Sequence, residues 1–276
     1  MNKMKLIDCF MYFNEDVVLD LRLNILDDIV DKFVIVESKK DHAGNNKELN
    51  FNINKFHKFK DKIDYFVIND LPFKKKIFSR SWRNDSSWLR ENFQRNCLYQ
   101  GYKNNDDNDI VMISDIDEIP DPKKILDFDK KNKYACFIQK NFQTKINLLN
   151  TTHRDWIGTR ICIKKFLKSP QWLKNIKTKE KKFWKFYKPN PPQIINDGGW
   201  HFSFLKKSEE ISRKLKSYAH QEYNLEKYYN IGSIEEKMKK GEDILDRNFI
   251  YKKIEIDSSY PDFIIKNKEK LKEWII

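Results

Sequence analysis

The stretch Ile110-Val111-Met112-Ile113-Ser114-Asp115-Ile116-Asp117-Glu118-Ile119-Pro120 joins a short apolar run directly to three closely spaced carboxylates. Residues 110–113 predict a buried strand, because the run is continuous and rich in β-branched side chains, and Pro120 ends it. The acids then lie at the carboxyl end of a strand, which is the edge where open α/β sheets bind ligands. Two carboxylates two residues apart can hold one hard divalent cation that also binds phosphates. We favour this interpretation over a solvated acidic turn, since an unpaired charge next to a buried strand is costly.

The segments before this stretch alternate between strand and helix patterns. Strands are predicted over residues 5–13, 31–38 and 64–68, and helices over residues 16–26, with Asn14 as the N-cap, and 87–102. Such alternation predicts an α/β fold with a mostly parallel central sheet flanked by helices. The second half is predicted to be mixed, with strands over 134–139, 157–166 and 199–205 and helices near 208–218 and 234–240.

The composition predicts one domain over residues 1–276. The chain has 276 residues, 39% of them hydrophobic, and no Gly-, Ser- or Pro-rich linker divides it. Residues 1–120 are expected to bind a nucleotide, and residues 121–276 to shape the site of a second substrate. No run of about 18 apolar residues and no signal-peptide core is visible, which predicts a soluble protein, intracellular or cytoplasmic, without a transmembrane segment. No feature indicates an oligomeric state.

Lysine supplies most of the formal charge of +13. Residues 164–188 contain ten lysines and one acid, Glu180, interleaved with aromatic residues. This composition is typical of a polyanion-binding surface, and a lysine-rich solvated face explains it equally well. A nucleic-acid-binding module is therefore an alternative function. It is the weaker one, because a basic patch does not account for Asp115 and Asp117.

Several blocks of the chain resemble glycosyltransferase family 17, whose best-known members are the bisecting N-acetylglucosaminyltransferases. The blocks are residues 8–15 (DCFMYFNE), 19–23 with Arg22, 31–38 (DKFVIVES), 88–91 with Arg95, 115–120 (DIDEIP), 198–203 (GGWHFS) and 214–222. The resemblance covers about residues 5–223. It implies a GT-A-type fold and transfer, with inversion at the anomeric carbon, from a UDP-sugar to a glycan hydroxyl. UDP-N-acetylglucosamine is the first donor candidate. Residues 39–44 (KKDHAG) depart from the family pattern, so the acceptor stays open.

The resemblance implies a donor site built on Asp115 and Asp117. Asp117 is assigned to a Mn²⁺ or Mg²⁺ ion that bridges the diphosphate, and Asp115 to the same ion or to the ribose. His201 is a candidate third metal ligand, and the alternative is a satisfied core histidine. Trp200 offers a flat face to a sugar or base.

An inverting transfer needs a general base. Asp197 is the first candidate because it precedes two glycines, although ordinary turn chemistry explains it equally well. Glu118 and Asp155 are the alternatives, and for Glu118 a salt bridge within the turn is equally plausible.

Four further residues receive weaker assignments. Arg90 is expected to clamp the diphosphate, against a surface ion pair with Glu91. Glu37 and Ser38 are expected to contact the uracil or ribose, against a strand-end cap. Trp156 fits core packing as well as a sugar contact. A metal phosphoesterase is disfavoured, because the five histidines show no paired spacing.

Overall fold

A computed structural model describes residues 3–72, 86–179 and 189–276. Its strands are β1 (Leu6–Met11), β2 (Lys32–Ser38), β3 (Ile63–Ile68), β4 (Ile110–Asp115), β5 (Glu118–Pro120), β6 (Tyr134–Gln143), β7 (Leu148–Asn150), β8 (Asp155–Ile163), β9 (Gln193–Ile195), β10 (Gly199–Ser203) and β11 (Tyr251–Lys253). Its α-helices are α1 (Asp16–Leu26), α2 (Ser86–Asn96), α3 (Tyr99–Tyr102), α4 (Pro122–Ile125), α5 (Pro170–Lys174), α6 (Ser208–Ser217), α7 (Glu226–Tyr229), α8 (Ile231–Lys240) and α9 (Asp262–Lys266).

One sheet runs through both halves of the chain, in the order β11-β7-β6-β8-β4-β1-β2-β3. The first four strands pair in parallel with one another: β1 pairs with β2 and β4, and β2 pairs with β3. From β8 onward the pairing is mixed, since β8 is antiparallel to both β4 and β6 while β10 is parallel to β6. The predicted α/β fold, with a large, mostly parallel sheet flanked by helices and a mixed second half, is confirmed.

Apolar side chains cover both faces of the sheet because its central strands are buried on both sides. On one face, Leu19 and Leu23 of α1 pack with the C-terminal Ile264. On the other face, Leu98 and Leu173 pack against Val34 and its neighbours. A smaller cluster joins α6 to α8. Within the described ranges, no helix is both long and apolar enough to cross a membrane.

Two local predictions differ from the structure. The predicted helix over 87–102 is divided into α2 and α3, and at the break the amide of Cys97 is shared between the carbonyls of Phe93 and Gln94. Asn14 does not cap α1, because its side chain and carbonyl are taken by the buried ammonium of Lys206. The amides of Phe13 and Asn14 instead donate to the carboxylate of Glu15, at 2.9 and 3.0 Å.

A buried ion pair fixes the turn that follows β4. The guanidinium of Arg22, on α1, binds both carboxylate oxygens of Asp8 on β1, at 2.7 and 2.6 Å, and both side chains are fully buried. The same guanidinium donates to Ser114 Oγ at 2.7 Å and to the carbonyls of Ile116 and Glu118 at 3.2 and 2.8 Å. Arg22 therefore holds the acidic turn in place from beneath.

We expect Arg22→Met to lower the free energy of unfolding by about 3–5 kcal/mol, because it leaves Asp8 buried without its counter-charge. Urea unfolding followed by circular dichroism measures the loss. Arg213→Met is the matched control: Arg213 is exposed on α6, and a surface substitution of this kind changes stability by about 0.5 kcal/mol or less. Equal losses in the two variants would contradict the structural role of Arg22.

Candidate active site

A cavity of about 370 Å³ opens at the carboxyl end of β1 and β4. One wall is formed by residues 11–13 after β1, residues 40–42 after β2 and residues 115–117 after β4. Most of the remaining lining, the second wall, comes from the second half of the chain, mainly from α6 and the segment that follows it. The predicted sheet edge therefore does carry a cavity, and Asp115 and Asp117 both line it.

Glu118 is part of the framework of this site. Its carboxylate is almost fully buried and accepts hydrogen bonds from Trp156 Nε1 at 2.9 Å and from the backbone amide of Asp115 at 3.0 Å. Lys174 of α5 donates to both oxygens, at 2.9 and 2.6 Å. Glu118 thus forms the predicted salt bridge, but with a lysine from α5 instead of a partner in the turn. It does not line the cavity.

Asp115 faces two cations. Arg95 of α2 donates to its carboxylate at 2.9 Å, and the Lys174 ammonium lies 3.4 Å away. Burial by itself raises the pKa of Asp115, but Lys174 and Arg95 hold it well below its usual range. Asp115 is therefore a carboxylate at physiological pH, with its charge already compensated.

Asp117 and His201 converge on the same part of the cavity. His201 Nδ1 lies 3.0 Å from the Asn141 Oδ1 atom, while the Asn141 amide nitrogen donates to a backbone carbonyl at 3.1 Å. Because Oδ1 can only accept, Nδ1 carries the proton and Nε2 keeps its lone pair. That Nε2 atom lies 3.7 Å from Asp117 Oδ1, which is too far for a direct hydrogen bond. Burial lowers the pKa of His201 although Asp117 opposes the shift, so the ring is neutral.

The alternation of side chains along β10 keeps Trp200 out of the cavity lining. Successive residues of a strand point to opposite faces, so Trp200 lies in the core while its neighbour His201 reaches the cavity. Trp200 is therefore not placed to offer a face to a ligand. Trp156 of β8 lines the cavity instead and stacks on the His201 ring, with centroids 4.2 Å apart and planes inclined by 14°.

Gly199 permits a close approach between two strands. A Cβ atom there would lie 2.2 Å from the carbonyl oxygen of Ile119, and the residue has a φ of +135°. The close neighbour of this glycine is thus the backbone of β5. The contact sets the register in which His201 lies opposite Glu118.

The family model of glycosyltransferase family 17 matches residues 1–257, which include every residue of the site described above. The chain belongs to glycosyltransferase family 17. It is therefore a glycosyltransferase, an enzyme whose partners are a nucleotide sugar and a glycan acceptor. No curated protein matches the chain.

Several predicted site residues of this family 17 chain lie outside the cavity, where they support it or its surroundings. Glu37 is fully buried and accepts from the amides of Asn50 and Phe51 and from the Tyr65 hydroxyl, and Ser38 accepts from the Lys40 amide. These are the strand-end contacts given above as the alternative for both residues.

Arg90 binds the backbone of the loop that follows β2. Its guanidinium donates to the carbonyls of His42 and Ala43, at 2.7 and 2.8 Å, and so supports the loop that lines the cavity after β2. No ion pair between Arg90 and Glu91 is seen; Glu91 pairs with Arg95 at 2.6 Å. Arg95, not Arg90, is the cation that lines the cavity.

Neither Asp197 nor Asp155 lines the cavity. Asp197 is exposed, with a φ of +47°, in the turn that precedes β10, and β10 carries His201 toward the cavity from there. Asp155 is exposed at the first position of β8. Turn chemistry, the stated alternative, describes the surroundings of Asp197.

Sequence reasoning missed a second charged group in this family 17 site. Lys214 of α6 lies 3.6 Å from Asp117 and 3.7 Å from Glu15, and the buried Lys206 lies 3.3 Å from Glu15. Burial lowers the pKa of Lys214, but Asp117 and Glu15 more than offset it, so its pKa is raised. The block 214–222 of the family resemblance contained the signal, since Lys214 stands in it.

The second wall of the cavity contains aromatic residues that were not predicted either. It contains Tyr218, His220 and Tyr223, with Arg247 beside them. His220 contacts the edge of Trp88 with centroids 4.7 Å apart.

The lysine-rich segment 164–188 is only partly described, since residues 180–188 lie outside the described ranges. Of its described lysines, Lys174 points into the site, and Lys164 pairs with Asp107 at 3.1 Å. Those lysines do not form one uninterrupted outward patch.

We expect Glu15→Gln to destabilise the fold in a pH-dependent way. Burial raises the pKa of Glu15, but Lys206 and Lys214 lower it from 4.5 to about 2. Since the folded pKa is depressed, the carboxylate stabilises the fold fully above about pH 4.5, and this contribution disappears as the pH falls toward 2. The difference in unfolding free energy between wild type and variant should be about 3 kcal/mol at pH 7 and should shrink between pH 4.5 and 2.

Urea unfolding at a series of pH values measures this difference. Glu269→Gln, at an exposed position near the C-terminus, is the control and should show a small difference at every pH. A Glu15→Gln difference that stays constant down to pH 2 would show that the carboxylate charge is not what stabilises the fold.

Proposed function

We propose that this chain is a metal-dependent, inverting glycosyltransferase that moves a sugar from a UDP-sugar to a glycan hydroxyl, with N-acetylglucosamine as the first donor candidate. The observation that carries the proposal is the pair Asp117 and His201. A carboxylate oxygen and an unprotonated imidazole nitrogen face the same part of a cavity, 3.7 Å apart and without a hydrogen bond between them.

The residues present fit a metal ion that is shared with the donor. The described parts of the chain contain no group of three or more His, Cys, Asp or Glu side chains that could hold a metal on its own. Asp117 and His201 would supply two ligands, and diphosphate oxygens are suited to the remaining positions of Mn²⁺ or Mg²⁺. When bound, such an ion neutralises charge that develops on the leaving diphosphate.

The His201 ring is oriented for this task. Asn141 fixes its tautomer, and Trp156 fixes its plane by stacking. A hydrogen bond to the other ring nitrogen is the usual way in which proteins orient a histidine ligand. A satisfied core histidine would have both nitrogens bonded, whereas here Nε2 faces the cavity.

The rest of the first wall suits a nucleotide. Asp115 can accept a hydrogen bond from a ribose hydroxyl, and its own charge is compensated by Arg95 and Lys174. The raised pKa of Lys214 keeps a cation beside Asp117, where diphosphate charge would lie. Residues 11–13 and 40–42 would enclose the uracil and ribose end.

The second wall suits a sugar acceptor. Tyr218 and Tyr223 line the cavity, and aromatic rings of this kind pack against the apolar face of a sugar. Neither alternative function has comparable support. A polyanion-binding module leaves the pair of Asp117 and His201 without a role, and a phosphoesterase needs a richer ligand set than these two residues.

We expect UDP-N-acetylglucosamine with Mn²⁺ to raise the melting temperature of the wild type by several degrees, since a ligand that binds only the folded state stabilises it. Omission of Mn²⁺ should remove most of the increase, and Asp117→Asn should remove the metal-dependent part. Differential scanning fluorimetry with a panel of nucleotide sugars, and with UDP alone, measures the effect.

Asp127→Asn is the matched control. Asp127 is exposed and pairs with Lys124 far from the cavity lining, so its variant should behave as the wild type does. If no nucleotide sugar raises the melting temperature of the wild type in a metal-dependent way, the proposed function is wrong. If UDP alone stabilises as strongly as any UDP-sugar, the nucleotide is supported and the donor sugar is not.

A further inference from the structure

A histidine and a carboxylate form a dyad on the aromatic wall of the cavity. His220 Nδ1 lies 2.7 Å from Oε1 of Glu222, two residues further along the chain. A carboxylate only accepts, so Nδ1 donates its proton to Glu222, and in the neutral form of the ring Nε2 carries the lone pair. This is the arrangement in which a base is oriented by a third group.

The ring of His220 is held in place and is still accessible. The edge of Trp88 contacts it with centroids 4.7 Å apart, and Tyr218 and Tyr223 lie at 5.5 and 6.2 Å. The preceding backbone is anchored, because Ser87 Oγ donates to the carbonyl of Ala219 at 3.1 Å. About 45% of the His220 side chain is exposed, and the residue lines the cavity.

In the described part of the chain, each carboxylate that lines the cavity already binds a cation or backbone amides. Glu15 is held by Lys206 and Lys214, Glu91 and Asp115 by Arg95, Asp117 by Lys214, and Asp41 by the amides of Gly44 and Asn45. A carboxylate whose charge is stabilised by a cation is a weakened base.

Two other histidines, His42 and His201, line the cavity, and each directs its Nε2 atom at another side chain. Nε2 of His42 bonds to the side-chain oxygen of Gln94 at 2.9 Å, and burial lowers the pKa of His42. His201 directs its free nitrogen at Asp117. His220 is thus the cavity histidine that combines a carboxylate partner with access from the acceptor side.

We propose that His220 is the general base of the transfer reaction and that Glu222 is its positioning residue. This inference rests on the proposed function. The acceptor hydroxyl proton moves to His220 Nε2 as the hydroxyl oxygen forms its bond to the anomeric carbon of the donor. The bond from that carbon to the diphosphate oxygen breaks, and UDP leaves with the electron pair. Glu222 stabilises the imidazolium through the Nδ1 proton, and the Nε2 proton later passes to solvent.

His220 and the proposed donor site at Asp117 line the same cavity. Lys214, which lies beside Asp117, stands in α6, and the chain continues from that helix directly into residues 218–220. An inverting transfer needs its base on the side of the sugar opposite the leaving group. His220 and the acidic turn both line this cavity, and the proposal requires the donor sugar to bind between them.

The test measures UDP release from UDP-N-acetylglucosamine with a panel of p-nitrophenyl glycosides as acceptors, and with water alone. His220→Ala should lower kcat by about 10²- to 10⁴-fold, as expected for the loss of a general base. Its KM for the donor and its Mn²⁺-dependent rise in melting temperature should match the wild type. Added imidazole should restore part of kcat, which a structural role would not allow.

Glu222→Gln should lower kcat about tenfold or more and leave the KM for the donor unchanged, because the amide holds the ring but supports its positive charge poorly. His57→Ala is the control: His57 is exposed in the segment before β3, away from the cavity, and its variant should keep the wild-type rate.

The outcomes separate the two proposals. If His220→Ala keeps the wild-type kcat, or if its loss is not rescued by imidazole, His220 is not the base while the proposed function stands. Asp197→Asn tests the rival base suggested by the sequence, and a loss of 10²-fold or more in that variant would also overturn the assignment to His220. A wild type with neither donor stabilisation nor UDP release contradicts both proposals, and donor stabilisation without UDP release from any acceptor or water contradicts the transfer chemistry in both.

Discussion

The active-site edge depends on a charge pair that never meets solvent. Arg22 and Asp8 are each fully buried, and the five donors of the guanidinium serve Asp8, Ser114 and the carbonyls of the acidic turn. An arginine is suited to this because its planar fork can hold a carboxylate and several carbonyls in fixed directions. The hydrogen bonds from Arg22 fix the backbone of the acidic turn, while Arg95, Lys174 and Lys214 compensate the charges of its three carboxylates. The directions of Asp115 and Asp117 therefore follow from a contact made underneath the site.

Contributions from distant parts of the chain meet above this turn. Three neighbouring strands bring His201, Asn141 and Glu118 side by side, since β10 pairs with both β5 and β6. Trp156 links them by stacking on His201 and donating to Glu118. Lys174 and Lys214 then balance the acids from α5 and α6. The first half of the chain supplies the acids and the second half supplies much of the cationic and aromatic surroundings. A donor bound here would touch both.

Much of the fold followed from the sequence because continuous apolar runs such as Ile110–Ile113 have few alternatives to a buried strand. The positions of Asp115 and Asp117 at the sheet edge followed with them. The roles of Trp200 and Trp156 could not be foreseen, because they depend on the phase of the pleat and on which strand pairs with β6. The roles of Arg22, Lys174 and His220 were not predicted for a related reason. The partners of Arg22 and Lys174 lie far away in the chain, and His220 becomes important only because a cavity forms beside it. Asp197 was proposed because two glycines follow it; of these, Gly199 lets β10 approach β5, and Gly198 lies against Phe137.

Gly199 also bears on the sequences that can inherit this site. A side chain there would collide with the Ile119 carbonyl, and the backbone conformation excludes most other residues in any case. A substitution of Gly199 would push β10 away from β5 and displace His201. Activity would then be lost although no side chain of the active site had been changed. Asp197, two positions earlier, is exposed, and its φ of +47° favours Asp, Asn or Gly over other residues. The position that tolerates substitution least is therefore one that has no side chain and takes no part in the chemistry.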